Sequence, residues 1–599
     1  MKNAIKRVVS AVLIAGVVFG LYPTQAHAAG NGVVSVDWDA TYQEIDGFGF
    51  TQEEECTYVM QEPYRTEIMD LLFDQEVGIG CSILRTEIGC GESKPTIEPE
   101  LGVWNKEGDP REIWYFNEAL ARGVDKIYGT VWTPPKWMKT NNSWTNGGWL
   151  KKEHYQNFAQ YLAEYVKIYR DEFGFDIYGI SPANEPEYPA QWKSCLWSAS
   201  QMKDFIENYL YPTFQQEGLT TKIMVGESGI WSDSLAKPIL NDGNTRHMID
   251  VVTSHQYQGL LIDLPTAREN GKHLWQSELC KSNDAFHVGI DNAVDWAKKI
   301  HDFMTIAQAN AFLFWRGAHA ANNDQTLIRL DTDDSYTISK RLYSLGHYSK
   351  FVRPGWVRIG ATDKAYSGLR TTAYKDPETG DFAIVIVNDD RNNNRVVDFE
   401  FRNFAAGSVT PYVTDLNYNM EQLEDVAIQN GRFTISVGAE SIMTLTGTNG
   451  SAPIDVKSYN IVDELNNMDM LDSCSAGWTI ETGNGYGRYD DSESCLRRTE
   501  LTAEQAVYHL DYLDDFLATI HFCDDVSGIA FYISSDGENY DLLNVNHTKP
   551  VATTKDWNRV QFYPANGIPS DTHYLMIEFS GGENCWNKHL SRIQFSGQM

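Results

Sequence analysis

A (β/α)₈ TIM barrel with an attached β-sandwich side domain and a C-terminal β-sandwich module is the multidomain architecture the sequence predicts. Three observations predict it. Eight short apolar runs alternate with amphipathic helical stretches across residues 43–350. The helical signal then stops, and strand-type patterning fills residues 351–447. Beyond a polar linker at 448–453, strand-type patterning resumes over 454–599. A chain of 599 residues is too long for one ordinary domain and suits this division.

Lys2, Lys6 and Arg7 form a basic head, residues 8–21 are mostly apolar, and Ala26-His27-Ala28 presents small residues for cleavage. Residues 1–28 are expected to be a secretory signal peptide, which makes the mature protein extracellular. The apolar stretch is too short for a comfortable membrane span, so no membrane association is expected. Residues 33–38 alternate like a strand, and 29–42 are assigned to a strand joining the side sandwich.

The barrel strands are expected at 44–49, 83–87, 126–132, 177–183, 222–226, 251–257, 273–278 and 311–315. Between them, Phe158, Leu162, Tyr165 and Tyr169 recur at helical spacing. Ser198 with Gln201 reads as a capping box, and 288–308 as another helix. In the side domain, 369–374 and 382–388 flank Asp376-Pro377-Glu378-Thr379-Gly380 as a hairpin, and 441–446 closes the sheet. In the last module the best strands are 529–533, 559–563 and 574–579.

The net charge of −33 repels nucleic acid and anionic membranes and favours a neutral partner. Seventeen Trp and 31 Tyr suit the apolar faces of sugar rings, although an aromatic-rich core reads the same way. The nine cysteines contain no CxxC spacing, which argues against a structural zinc site; buried free thiols and disulfides both stay open. No P-loop, dinucleotide fingerprint or Ser-His-Asp order is present. No cofactor is expected. Calcium at Asp490 and Asp491 is weighed against plain solvated turn residues.

Two carboxylates stand out. Asn184-Glu185-Pro186 closes the fourth candidate strand, where Pro186 ends the ladder. Glu278 closes the seventh, after Trp275-Gln276-Ser277. Side chains at the C-terminal ends of these strands face each other across a barrel mouth. Such a pair supplies what glycosidic-bond cleavage needs: one acid for the leaving oxygen and one carboxylate on the other face of the anomeric carbon.

The ordered motifs resemble glycoside hydrolase family 30. They are Ile45-Asp46-Gly47-Phe48-Gly49, Trp132-Thr133-Pro134-Pro135, Trp137 to Asn141, Asn184-Glu185-Pro186, Ser194-Cys195 with Trp197-Ser198, His255 and Tyr257, Trp275 to Glu278, and Phe351-Val352-Arg353-Pro354-Gly355. The resemblance covers roughly residues 33–447. It implies that Glu185 is the acid/base and Glu278 the nucleophile of a retaining enzyme. It also implies that Tyr257 orients Glu278, and that Trp132, Trp315 and His255 line the innermost sugar subsite; Asn184, beside Glu185 at the strand end, can hydrogen-bond a sugar hydroxyl. Arg85 is expected either to keep a carboxylate ionised or to form an ordinary ion pair.

The motifs look most like the bacterial endo-xylanase and glucuronoxylanase branch. That branch reads a glucuronic acid branch through basic residues after strand eight. Here the loop runs Trp315-Arg316-Gly317-Ala318-His319, and the first loop carries Glu53-Glu54-Glu55, read as solvated acid. The expected substrate is therefore xylan cleaved as an endo-β-1,4-xylanase without a uronate requirement. An exo-acting β-glycosidase, a β-1,6-glucanase or galactanase, and a non-catalytic glycan binder are the alternatives. Trp104, Trp144 and Trp149 either stack on outlying sugars or pack loop on loop. Tyr486, Tyr489, Trp557 and Trp586 would give the last module a sugar-binding face, as in a carbohydrate-binding module, or form its core. The protein is expected to act as a monomer.

Overall fold

Eight parallel strands close into a barrel: Gly47–Gln52, Ile83–Glu87, Lys126–Thr130, Gly179–Ser181, Lys222–Ile230, Val251–Gln258, His273–Glu278 and Ala311–Trp315. The eighth pairs with the first from Ala311 opposite Gly47 to Trp315 opposite Thr51, which shuts the ring. This is a computed structural model describing residues 33–53, 56–332, 334–451, 458–482, 494–510, 513–554, 556–565, 568–569 and 571–598. Residues 1–28, Glu54, Glu55, Ala452, Pro453, Tyr486, Tyr489, Asp490 and Asp491 lie outside the described residues.

The first strand begins three residues later than the apolar run suggests. The reason is that Ile45 and Asp46 serve the barrel floor instead. Ile45 N donates to the Trp356 carbonyl at 2.7 Å, and its carbonyl accepts from Gly355 N at 2.8 Å. Asp46 accepts from Trp275 Nε1 at 2.6 Å. Gly49 is forced: a Cβ there would lie 1.8 Å from the Ile83 carbonyl oxygen of the neighbouring strand. The fifth strand runs past Gly226, with its pairing broken between Val225 and Ser228.

Below the mouth the barrel is filled by Ile83, Tyr128, Met224, Val251, Trp275, Ala311 and Leu313. The helix Tyr155–Phe173 buries Phe158, Leu162, Tyr165 and Tyr169 against the outside and stops at left-handed Gly174. Each such fully buried side chain contributes roughly 1.5–3 kcal/mol. Ser198 and Gln201 form a reciprocal capping box at the next helix.

The side domain is a ten-stranded sheet system. The strand Val34–Glu44, which precedes the barrel in sequence, pairs with Val357–Ala361 and runs parallel to Arg395–Arg402. Leu369–Lys375 and Asp381–Asn388 form the hairpin, and Ser441–Thr448 pairs with its second strand. The helix Arg341–Ser349 docks on this sheet, with both His347 ring nitrogens bonded to the hydroxyls of Thr444 and Thr414.

The last module has an eight-stranded and a five-stranded sheet. Phe516, Ile520, Phe531, Phe562, Ile577 and Phe595 lie in the core between them. Ile529–Ser534, Asn558–Pro564 and Tyr574–Phe579 are among its strands. Trp557 is buried against His589, whereas Trp586 is exposed. Among the described residues, Cys81, Cys90, Cys195, Cys474, Cys523 and Cys585 carry free thiols. No described helix is long and apolar enough to cross a membrane.

Candidate active site

The C-terminal ends of the strands carry the polar residues, because only there does the packed barrel open. Glu278 ends the seventh strand and is nearly fully buried. Its two oxygens have different holders. Arg85 Nη1 donates to Oε2 at 2.5 Å, and the Tyr257 hydroxyl donates to Oε1 at 2.9 Å. Burial pushes the Glu278 carboxyl up, opposed by the charges of His255 and Arg85.

Glu185 follows the fourth strand in a left-handed conformation, φ 43°. A backbone bond from Glu185 N to the Glu227 carbonyl, 2.8 Å, fixes it. Strain of this kind costs about 1–3 kcal/mol and is held by its surroundings. The closest oxygens of Glu185 and Glu278 lie within 4.8 Å of each other, with a His255 nitrogen among them.

Asn184 and Arg85 are joined, Arg85 Nη2 donating to Asn184 Oδ1 at 2.5 Å. Trp132 packs beside Trp315 with ring centroids 5.9 Å apart. The Arg85 guanidinium lies over the Trp132 ring at 4.6 Å. All eight residues singled out from the sequence, Arg85, Trp132, Asn184, Glu185, His255, Tyr257, Glu278 and Trp315, thus meet at one mouth.

Two of them do not sit where a sugar contact requires. Arg85 and His255 are fully buried, beneath the carboxylates. His255 Nδ1 lies 3.6 Å from Glu185 Oε1 and 3.7 Å from Glu278 Oε1. Burial alone would drive His255 neutral, but Glu278, Glu185 and Glu227 together raise it to about 10.

Glu227 is the residue that sequence reading missed. It is fully buried, with φ 52°. It accepts from Ser277 Oγ at 2.7 Å, pairs with His255 Nε2 at 3.0 Å and with Arg85 at 3.2 Å. Burial opposes its charge, yet Arg85, His255 and Ser277 hold its carboxyl below the usual range. The signal was present: a glutamate directly after Gly226, where the apolar run of the fifth strand ends.

The rim differs from the expected solvated acid loop. Glu53 is buried and accepts from Arg316 Nη2 at 2.8 Å. Arg316 in turn stacks on Trp315 at 4.6 Å. Beside it, Lys193 Nζ donates to Glu87 Oε2 at 2.6 Å, and burial lifts the Glu87 carboxyl to about 7. Between the loops after the second and third strands lies a cavity of about 430 Å³ lined by Leu101, Lys136, Trp137 and Trp144. Trp144 also ties the two loops, Nε1 donating to the Cys90 carbonyl at 3.2 Å. Trp149 is exposed, and Trp104 packs on the barrel core.

Comparison with known proteins points the same way. A profile of glycosyl hydrolase family 59 matches residues 54–330. Over 350 residues the chain is 27% identical to glucuronoxylanase XynC of Bacillus subtilis (strain 168), spanning 56% of this chain and 78% of that protein. It is 23% identical over 471 residues to the galactocerebrosidase of Homo sapiens, spanning 72% of this chain and 65% of that one. The catalytic domain of GH30 xylanase C from Talaromyces cellulolyticus superposes with a TM-score of 0.64 at 27% identity, covering 69% of this chain and 100% of that chain.

Proposed function

We propose, for a chain that is a glycoside hydrolase of the family-30 type close to the xylanase branch, that it is a secreted, retaining endo-β-1,4-xylanase that does not require glucuronic acid branches. The observation that carries the retaining chemistry is the closeness of Glu185 and Glu278, within 4.8 Å oxygen to oxygen. Inverting enzymes keep their carboxyl groups roughly 6.5–9.5 Å apart to admit water, whereas retaining ones need about 5–5.5 Å.

Glu185 is the acid and Glu278 the nucleophile. Glu278 is the better nucleophile of the two because Arg85 and Tyr257 grip its oxygens and fix their aim. Glu185 is more exposed and sits where a leaving oxygen can reach it. In the first step the Glu185 proton passes to that oxygen as Glu278 bonds the anomeric carbon. In the second, Glu185 takes a proton from water, whose oxygen displaces Glu278. Trp132 and Trp315 offer apolar surface to the sugar beside this pair. No cofactor enters.

The xylan reading is supported by the xylanases among the relatives and by the engagement of Arg316 with Glu53, which removes a ready partner for a uronate. Export through residues 1–28, glycan binding by the last module and action as a monomer belong to the same reading. The test is product analysis after digesting glucuronoxylan, neutral arabinoxylan and linear xylo-oligosaccharides, with a β-1,6-glucan as control. Cleavage of unbranched xylo-oligosaccharides at internal bonds is expected. Release of products only from glucuronoxylan, or only from the control, would overturn the substrate. A second reading, an exo-acting β-glycosidase, is favoured by the family 59 profile and the galactocerebrosidase match. Single sugars as the sole product would select it.

A further inference from the structure

We infer that Glu227 is a positioning residue of this reaction, anchoring from below the two cations that touch the catalytic carboxylates. The role rests on the hydrolase reading above, and it assigns work to a residue that never meets the sugar.

Glu227 is fully enclosed, so it acts only through neighbours. Its own place is expensive to keep. The backbone is left-handed at a non-glycine residue, and a Cβ at the preceding Gly226 would fall 1.9 Å from the Thr253 carbonyl oxygen. Glu227 N is held by Thr253 Oγ1 at 3.0 Å, and its carbonyl accepts from Glu185 N. One bulged strand end therefore fixes both the acid/base backbone and a third carboxylate.

That carboxylate faces Arg85 and His255, with Ser277 and Thr130 filling its other positions and Tyr128 nearby. Arg85 reaches past it to Glu278. His255 reaches past it to Glu185 and Glu278 alike, and the Tyr257 ring stands 5.9 Å from the imidazole. With Nε2–H given to Glu227, Nδ1–H points between the two catalytic groups.

The charge count explains why a third acid belongs here. Arg85 and His255 contribute two positive charges. Glu227 and Glu278 balance them while Glu185 keeps its proton. As the covalent intermediate forms, negative charge leaves Glu278 and appears on Glu185. Both oxygens lie at nearly equal distance from the same Nδ1, so one fixed imidazolium serves both half-reactions without moving. Without Glu227 the imidazole loses the anion that holds its Nε2 proton, and the cluster gains a net positive charge.

The test is Glu227→Gln in the full chain, read by histidine Cε1 NMR and by pH profiles on an aryl β-xylobioside. His255 is assigned from the signal lost in His255→Gln. In the wild type the His255 signal should be flat between about pH 6 and 8, and in Glu227→Gln its titration should move down into about pH 7–9, since a neighbouring opposite charge moves a pKa by about 1–3 units. The alkaline limb of kcat/KM should move about one unit or more toward acid, because the cluster around His255 has lost an anion. kcat should fall about a hundredfold with KM little changed, because the carboxylates lose their aim. Glu227→Asp, which keeps the charge, should leave the limb in place. A fall in kcat with unmoved limbs and an unmoved His255 signal would mean a merely structural role and would overturn the inference. If Glu227→Gln does not fold, a wild-type His255 signal titrating near its ordinary value would overturn it alone. The NMR result does not depend on which glycan is cleaved, so failure on xylan leaves it standing.

Discussion

Arg316 donates to Glu53 at 2.8 Å, tying the residue after the last barrel strand to the residue after the first. The guanidinium is also laid flat on Trp315. A cation spent on a buried carboxylate and an indole face has little left for a sugar acid. Arg316→Ala should therefore leave the ratio of kcat/KM on glucuronoxylan to that on neutral arabinoxylan unchanged, within about twofold, since a lost charge-assisted contact would cost tenfold or more. A selective loss on glucuronoxylan would assign Arg316 to the branch.

Removing Arg85 strands two buried anions at once. Glu227 and Glu278 both lean on it, the first wholly enclosed and the second nearly so. Arg85→Met should lower unfolding free energy by about 3–5 kcal/mol, the range for breaking a buried pair from one side. The shift is read from the denaturant midpoint at constant slope.

The two carboxylates should fail in different ways. Glu278→Ala should abolish turnover while affinity for xylohexaose, measured calorimetrically, stays close to wild type. Glu185→Gln should cost about 10²–10⁴-fold on xylan, the usual yield of general acid catalysis, and far less on an aryl glycoside whose leaving group needs no proton. On an aryl glycoside, added azide should give a glycosyl azide of retained configuration with a Glu185→Ala variant, by attacking the glycosyl-enzyme, and of inverted configuration with Glu278→Ala, by direct displacement; the opposite pattern would exchange the two roles.

His255 makes stability depend on pH on the alkaline side. Its folded pKa is raised from the model-compound value of 6.5 to about 10, so the native state binds this proton more tightly than the unfolded chain. The stabilisation is whole below about pH 6.5 and is lost as pH climbs through about 10. Melting temperatures measured from pH 6 to 10 should fall for the wild type and fall less steeply for His255→Gln. Parallel curves would contradict the linkage.

Much of this was legible in the chain. The second, seventh and eighth barrel strands stand where their apolar runs end, because a strand buried on both faces has no reason to stop elsewhere. Glu185 and Glu278 announced themselves by ending such runs. Glu227 did not, because the bulge after Val225 carries the strand four residues past the glycine that seemed to close it. The burial of Arg85 and His255 was equally hidden: Arg85 meets Glu278 from the far side of the barrel, and His255 meets carboxylates from three other strand ends, which no local pattern encodes. The first strand slipped because Ile45 bonds to Gly355 and Trp356, a contact made only once the far end of the barrel has arrived.

The strand Val34–Glu44 is held between Val357–Ala361 and Arg395–Arg402. During synthesis it emerges before the barrel and must wait, unpaired, while more than three hundred residues follow before its partners exist. Such distant pairing slows folding and leaves an open strand edge exposed meanwhile. A chain cut after residue 350 would keep all eight barrel strands and both catalytic glutamates, yet strand that first segment permanently. The shortest piece that pairs every strand of barrel and side sheet therefore runs on through Ser441–Thr448.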